Sequence, residues 1–411
     1  MSGDGTPSAP ESELAVGADA FTQQGAGLEI AVVGAGAVGA TAAYDLAREG
    51  ADVTLYDRGS VASGSSGRAA GICYDAFADP LDAEIAGDAI ERFRALSGDD
   101  TFPFVECPYV WLAREGDDER ASAVREQVER MQDNGVVALE MDADALADRF
   151  PTLRADDVEV AAIAGAAGYT DPAKYTACLA AAADGAGATL APDTPVEVRT
   201  DPSRVVLEDG TEREVDAVLV AAGAHTKRVL ADAGVPIAMK PYRVQALVAS
   251  VDGGNETGAA GPLEEPTCYD ATGGFYVRPH PDGVLAGDGT EEVEADPDDY
   301  ERDADPDFPA DLLERVRHRF PDHEFEVDRS WAGLCTATPD RDPLVGRLED
   351  GLYVATGFQG HGFMRAPAIG ARVAGEILGG DGIDAFDPTR FDGDEEFGIN
   401  EGMTIDWEDE P

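Results

Sequence analysis

Three glycines inside IAVVGAGAVGATAAYDLAREGADVTLYDR, residues 30–58, constrain the fold more than any other feature of the chain. The apolar run 30–33 is of the kind a strand buried on both faces needs. Gly34, Gly36 and Gly39 then satisfy G-x-G-x-x-G. The first permits a tight turn, the second lets a pyrophosphate approach the backbone, and the third lets helix and strand pack closely. Gly39, Ala42, Ala43 and Leu46 recur at helical spacing, so the helix that follows buries one stripe and turns its N-terminus, at Ala37 and Val38, toward the phosphates. Gly50 suits a left-handed helix stop. Residues 53–56 read as a second strand, and Asp57 ends it 18 residues past Gly39, where an acid binds the hydroxyls of an adenosine ribose. That acid argues against a bound 2′-phosphate. Strand, glycines, helix, strand and acid arrive in register, which specifies a dinucleotide site rather than a structural turn.

The charge balance is extreme: 83 Asp and Glu stand against 30 Lys and Arg, a formal net charge of -53, and the only lysines are Lys174, Lys227 and Lys240. Such a surface repels itself in dilute buffer and is relieved by molar salt, where the Debye length shrinks to about 3 Å. The composition therefore reads as that of a halophile's cytoplasmic protein and speaks against nucleic acid or anionic membrane as partners. Cys73, Cys107, Cys178, Cys268 and Cys335 are scattered, with no C-x-x-C, so neither a disulfide framework nor a metal site is expected. Residues 1–27 read as a flexible acidic tail without the apolar core of a signal peptide, and residues 394–411 as an acidic C-terminal tail. No apolar run reaches membrane-spanning length.

Helices are expected over 79–96 and 119–134, and from Asp171-Pro172 to Gly185, with strand character between 102 and 115. Short strands near Val196 and over 205–207, turned by Asp209-Gly210, precede VDAVLVAAGAH, an apolar strand running into Ala222-Gly223. Residues 236–334 read as mostly strand, with one helix near 310–320 and the acidic stretch EEVEADPDDYERDADPD. That stretch lacks the glycine and terminal Glu spacing of a calcium loop, so a solvated acidic face is expected. At the far end GLYVATGFQGHGFMRAPAIGARVAGEIL is strand, glycine-rich turn and small-residue helix, a second helix N-terminus for a bound ligand. The expected fold class is α/β: a discontinuous Rossmann-type domain (28–98, 160–235 and 336–393) with an inserted, mostly antiparallel β-sheet substrate domain (99–159 and 236–335).

These motifs, with GSSGRAAGI, PYRVQ, FYVRPHPDGVLAGDGTE and WAGLCTATPDRDPLVG, resemble the D-amino-acid oxidase superfamily of FAD-dependent oxidoreductases, in particular its sarcosine oxidase, dimethylglycine dehydrogenase and proline dehydrogenase beta-subunit branch. The resemblance implies that Gly34, Gly36, Gly39, Asp57 and Arg58 hold the ADP part of FAD and that Ser65, Ser66 and Gly67 lie beside pyrophosphate and flavin. It places Val196, Ala222 and Gly223 against adenine and phosphate, and Gly357, Gln359, Gly360, His361 and Gly362 around the flavin end. Substrate is then expected on the sheet carrying Arg243, Gln245, Tyr276 and Arg278. The family's carboxylate-clamping GLRP arginine is replaced by Cys335 in GLCT, and the lysine after GHGF by Met364. The flavin-linking cysteine aligns nearer Gly333, so the FAD is expected to be noncovalent.

Arg243, Arg278 or Arg365 could supply the missing guanidinium fork. His361, with an ordinary pKa near 6.5, is a candidate base or electrostatic partner, or else a shaper of its turn. Cys335 is expected to be a small buried hydrophobe rather than a catalytic thiol. The resulting expectation is oxidation of a C–N bond in a small amine or amino acid (sarcosine, dimethylglycine, proline or glycine-like) by hydride transfer to flavin. Oxygen or an electron carrier would take the electrons, and a homo-oligomer is possible. The alternatives are a 2-hydroxy acid dehydrogenase and, because the C-terminal half also resembles a mitochondrial protein linked to respiratory complex I assembly, a non-catalytic flavin-binding assembly factor.

Overall fold

The computed structural model describes residues 24–98, 101–251, 265–288 and 290–399; most of both expected tails lies outside the described residues. A six-stranded sheet runs in the order Leu344–Glu349, Leu352–Thr356, Ala217–Val220, Glu29–Val33, Asp52–Tyr56, Thr189–Ala191. All its pairings are parallel except that of the outermost hairpin strand, Leu344–Glu349. The central strands are mostly apolar because both faces are covered. Ile30, Val32 and Leu219 enter one core with helices Ala37–Arg48 and Gly362–Ile377, while Ala31, Val33, Val218 and Val220 enter a second on the other side. Asp171 and Asp79 cap their helices as the Asp-Pro pairs imply, accepting from backbone amides two and three residues on.

The second sheet has eight strands in the order Phe325–Ala337, Lys240–Val251, Gly283–Asp288, Phe275–His280, Thr267–Asp270, Tyr109–Arg114, Val158–Ala164, Ala138–Met141. It is antiparallel apart from the pairing of Thr267–Asp270 with Tyr109–Arg114. The boundaries drawn at 160 and 336 each fall inside one of these strands, Val158–Ala164 and Phe325–Ala337. Strand pairing continues across both points, so neither is a linker. One face of the sheet, with Leu112, Leu247, Phe275 and Val277, packs on helix Phe308–Arg319; the other, with Tyr109, Trp111, Tyr269 and Tyr276, turns toward the first unit.

The acidic stretch expected to be purely solvated instead supplies partners. Asp298 takes Arg58, Arg228 and His225, Glu294 takes Lys227, and Glu291 and Asp305 take Arg243. Nor is the C-terminal stretch from 394 wholly a tail. Phe397 and Ile399 pack with Tyr242, Val244 and Cys335, and Lys240 Nζ donates to the Phe397 carbonyl at 2.7 Å.

Candidate functional site

The first glycine turn is closed so tightly that a Cβ on Gly39 would fall 1.9 Å from the Gly34 carbonyl oxygen. Gly34 itself has φ +114°, in the region that favours glycine. Asp57 lies across this turn, its carboxylate accepting from the Ala35 amide at 2.7 Å and the Gly59 amide at 2.8 Å. Each oxygen keeps a lone pair for a ribose hydroxyl. At the helix start the Gly36 cap position makes no side-chain hydrogen bond, while the Ala37 amide donates to Ser66 Oγ at 2.9 Å. Ser65 Oγ donates to the Leu334 carbonyl at 2.6 Å, so one short turn, 65–68, links the glycine loop to the second sheet. Ala222 and Gly223 follow the strand beside Glu29–Val33, with the Ala221 amide on the Val33 carbonyl at 2.8 Å. Val196 is half-buried at the start of a separate hairpin that packs under Tyr56. Arg58 is the exception: half-exposed, it is ion-paired with Asp298 at 2.6 Å rather than turned to the loop.

The second glycine turn has left-handed backbone at three of four successive residues, Gly357 (φ +80°), Gln359 (φ +50°) and Gly360 (φ +86°). The Gln359 amide donates to the Thr336 carbonyl at 2.8 Å, which ties the turn to the end of Phe325–Ala337. His361 is the cap position of helix Gly362–Ile377 and makes no capping side-chain bond. Its ring is buried, with Nε2 3.1 Å from the Tyr74 hydroxyl and the edge of Phe77 at a centroid distance of 5.4 Å. Tyr74 in turn stacks on Tyr109 at 4.1 Å. Burial, with Arg365 adding to it, drives the His361 pKa down to about 3. The expected titration near 6.5 is therefore corrected: the imidazole is neutral and a poor base, because it is buried behind an aromatic wall and no carboxylate among the described residues offsets that burial.

Strand register separates the four residues expected to share a substrate surface. Gln245 pairs with Asp288 and Ala246 with Gly287, while Gly287 pairs with Tyr276. Tyr276 and Arg278 thus share a face with Ala246, Val244 and Tyr242, and Arg243 and Gln245 point the opposite way. There Arg243 donates to the Glu301 carbonyl at 3.0 Å and pairs with Glu291 and Asp305, and Gln245 donates to Asp305 at 3.1 Å. Neither reaches a substrate surface on the other face. Arg365 is likewise committed, to Asp82 at 2.8 Å beneath the Phe77 ring. Arg278 is buried, with Nε donating to the Ala70 carbonyl at 2.5 Å and the guanidinium 4.9 Å from the Tyr169 ring centre. Burial lowers its pKa to about 10, so it stays charged at neutral pH.

Apart from Arg278, the side chains on the face toward the first unit that border the two turns are neutral. Tyr276 lies flat over Gly287, where a Cβ would come 2.2 Å from its hydroxyl, and Tyr242 has its hydroxyl 3.8 Å from where a Cβ on Gly360 would stand. Across the ladder Tyr242 pairs with Cys335 and Val244 with Gly333, which brings those two positions to the same face. Cys335 is half-buried there. Tyr242 went unnoticed beside Arg243 in PYRVQ; the alternation of that strand, once anchored on Tyr276, identifies it. Met364, at the expected lysine position, is buried in the core.

The two glycine turns, a ribose-competent carboxylate and two helix N-termini without side-chain caps fit a flavin dinucleotide. Among the described residues no group of His, Cys, Asp or Glu is arranged to hold a metal ion, and no helix is long and apolar enough to cross a membrane.

The sequence profile described as DAO, FAD dependent oxidoreductase, matches residues 29–375. Glycine oxidase of Geobacillus kaustophilus is 26% identical over 361 residues, covering 84% of this chain and 92% of its own. FAD-dependent oxidoreductase domain-containing protein 1 of Bos taurus is 37% identical over 124 residues, 29% of this chain and 25% of its own. Among solved structures, L-proline dehydrogenase from P. horikoshii superposes with a TM-score of 0.78 at 27% identity, covering 89% of this chain and 98% of that one.

Proposed function

The chain belongs to the FAD dependent oxidoreductase (DAO) family and is an FAD-dependent oxidoreductase, and from that premise we propose that it oxidises the C–N bond of a small secondary or tertiary amine or amino acid. Glycine oxidase and L-proline dehydrogenase among the similar proteins support an amine-bearing substrate. The observation that favours an amine over a 2-hydroxy acid is His361. A hydroxy acid needs a base for its hydroxyl proton, and the one histidine in the flavin-side turn is only a weak base, its pKa lowered to about 3 by burial and its Nε2 already against the Tyr74 hydroxyl. An amine that arrives unprotonated from solvent needs none.

In this reading Gly34, Gly36, Ala37, Val38, Gly39 and Asp57 hold the ADP moiety, Ser65, Ser66 and Gly67 lie beside the pyrophosphate, and Gly357, Gln359, Gly360, His361 and Gly362 surround the flavin end. When bound, FAD would supply the acceptor for a hydride from the carbon next to nitrogen, and hydrolysis of the resulting imine would break its C=N bond to leave a carbonyl group and an amine. Tyr242 and Tyr276 present a neutral wall that orients the amine and keeps water from the reacting carbon. The FAD is held noncovalently, since Gly333 offers no nucleophile. Oxygen or an electron carrier would take the electrons. The test is product analysis with sarcosine, dimethylglycine, proline and 2-hydroxyglutarate under turnover. Activity that climbs with pH toward the amine's own pKa supports the reading; turnover of the hydroxy acid alone refutes it.

A further inference from the structure

Beside the short turn 65–68 lies a cavity of about 550 Å³ whose charge runs against that of the whole chain. Arg68, Lys174, Arg278 and Arg329 line it, with Asp171 as its one carboxylate among the described residues. Asp171 is already engaged, capping its own helix and lying 3.6 Å from Lys174. The three arginines have no carboxylate partner among the described residues. Arg68 donates to the Ser63 and Gly64 carbonyls, Arg278 to those of Ala70 and Pro279, and Arg329 lies over Trp331 at 4.9 Å. In a chain with 83 acids and 30 Lys and Arg, paired arginines are the expectation, and Arg243, Arg319, Arg365 and Arg390 all meet it. Three that converge unpaired on one hollow create a local positive potential inside a negative envelope.

The cavity lies on the far side of the 65–68 turn from the glycine loop and shares Gly67 with the dinucleotide cradle. Ser66 faces the Ala37 amide on one side of the 65–68 turn, while Gly67, Arg68 and Ala69 line the cavity. Its remaining wall is largely carbon, from Val105, Leu285 and Trp331. Arg278, only 5% exposed, is a charge held in place before any ligand arrives. We propose that this cavity binds an organic carboxylate, its oxygens on the guanidinium groups of Arg68, Arg278 and Arg329 and its carbon body against Val105, Leu285 and Trp331. Guanidinium forks match carboxylate geometry, and the apolar wall selects an organic anion over an inorganic one.

The site is independent of turnover, so its test is direct binding to the FAD-loaded protein by titration calorimetry at fixed salt. The probes are phenylacetate, its neutral amide phenylacetamide, and inorganic phosphate. Saturable binding of phenylacetate is expected, with little from the amide and weaker binding of phosphate. Arg329→Gln, at an exposed position, is expected to weaken phenylacetate about tenfold, the order of one charge-assisted hydrogen bond. Arg213→Gln, which removes the same charge from an exposed position elsewhere, and Tyr276→Phe, on the flavin-side face, are expected to leave it unchanged. Equal binding of the amide or of phosphate, an equal loss in Arg213→Gln, or a loss in Tyr276→Phe with none in Arg329→Gln would each overturn the assignment.

Discussion

Replacing His361 by Asn should remove a specific part of the protein's acid sensitivity. The side chain is 8% exposed, walled by Tyr74 and Phe77, and its pKa is about 3 in the folded protein against about 6.5 in an open chain. Between those values the unfolded chain binds a proton that the folded protein refuses, so stability falls as pH falls through 6.5 and continues to fall toward 3. At full slope each pH unit costs about 1.4 kcal/mol, and at pH 5 the accumulated loss from this one residue is about 2 kcal/mol. Urea unfolding of wild type and His361→Asn, both in excess FAD at one salt concentration, compared at pH 7.5 and pH 5, isolates the term because the carboxylates contribute to both proteins alike. Wild type should lose about 2 kcal/mol more than the variant. Parallel losses would mean that water reaches His361 and that the base role rejected above is open again.

Three further outcomes follow from particular contacts. Gly39→Ala places a methyl 1.9 Å from the Gly34 carbonyl, so the purified variant should lose its bound flavin, read as the visible absorbance per protein. Arg243→Gln strands Glu291 and Asp305 at the back of the second sheet; it should lower stability by about 1–3 kcal/mol in chemical denaturation while leaving KM within about twofold, because the residue faces away from the substrate surface. Raising NaCl from 0.1 to 1 M shortens the Debye length from about 10 to about 3 Å, so at a net charge of -53 the Tm should rise with salt, and a flat or falling Tm would contradict the self-repulsion argument.

The glycine loop, its helix and Asp57 were legible because their signal is local: fixed spacings that one strand-turn-helix satisfies by itself. The helix starts at Asp79 and Asp171 were readable for the same reason. Which face a strand residue occupies was not legible, since Arg243 and Tyr276 are compared only through two successive ladders, and a slip of one residue reverses the answer. Partner choice was hidden too. Nothing near Arg58 in the chain announces that Asp298, 240 residues away, will take its charge. His361 looked like a titrating base because its neighbours in sequence are small. The aromatic rings that dry it come from Tyr74 and Phe77, on a segment that reaches the turn only in the folded protein.

The most direct test of the whole account is the visible spectrum of the anaerobic, FAD-loaded protein before and after sarcosine, dimethylglycine, proline and 2-hydroxyglutarate are added separately. Bleaching of the flavin band by at least one of the amines, with none by the hydroxy acid, is the predicted result. A band bleached only by 2-hydroxyglutarate, or one that no amine bleaches, would contradict the proposed C–N oxidation.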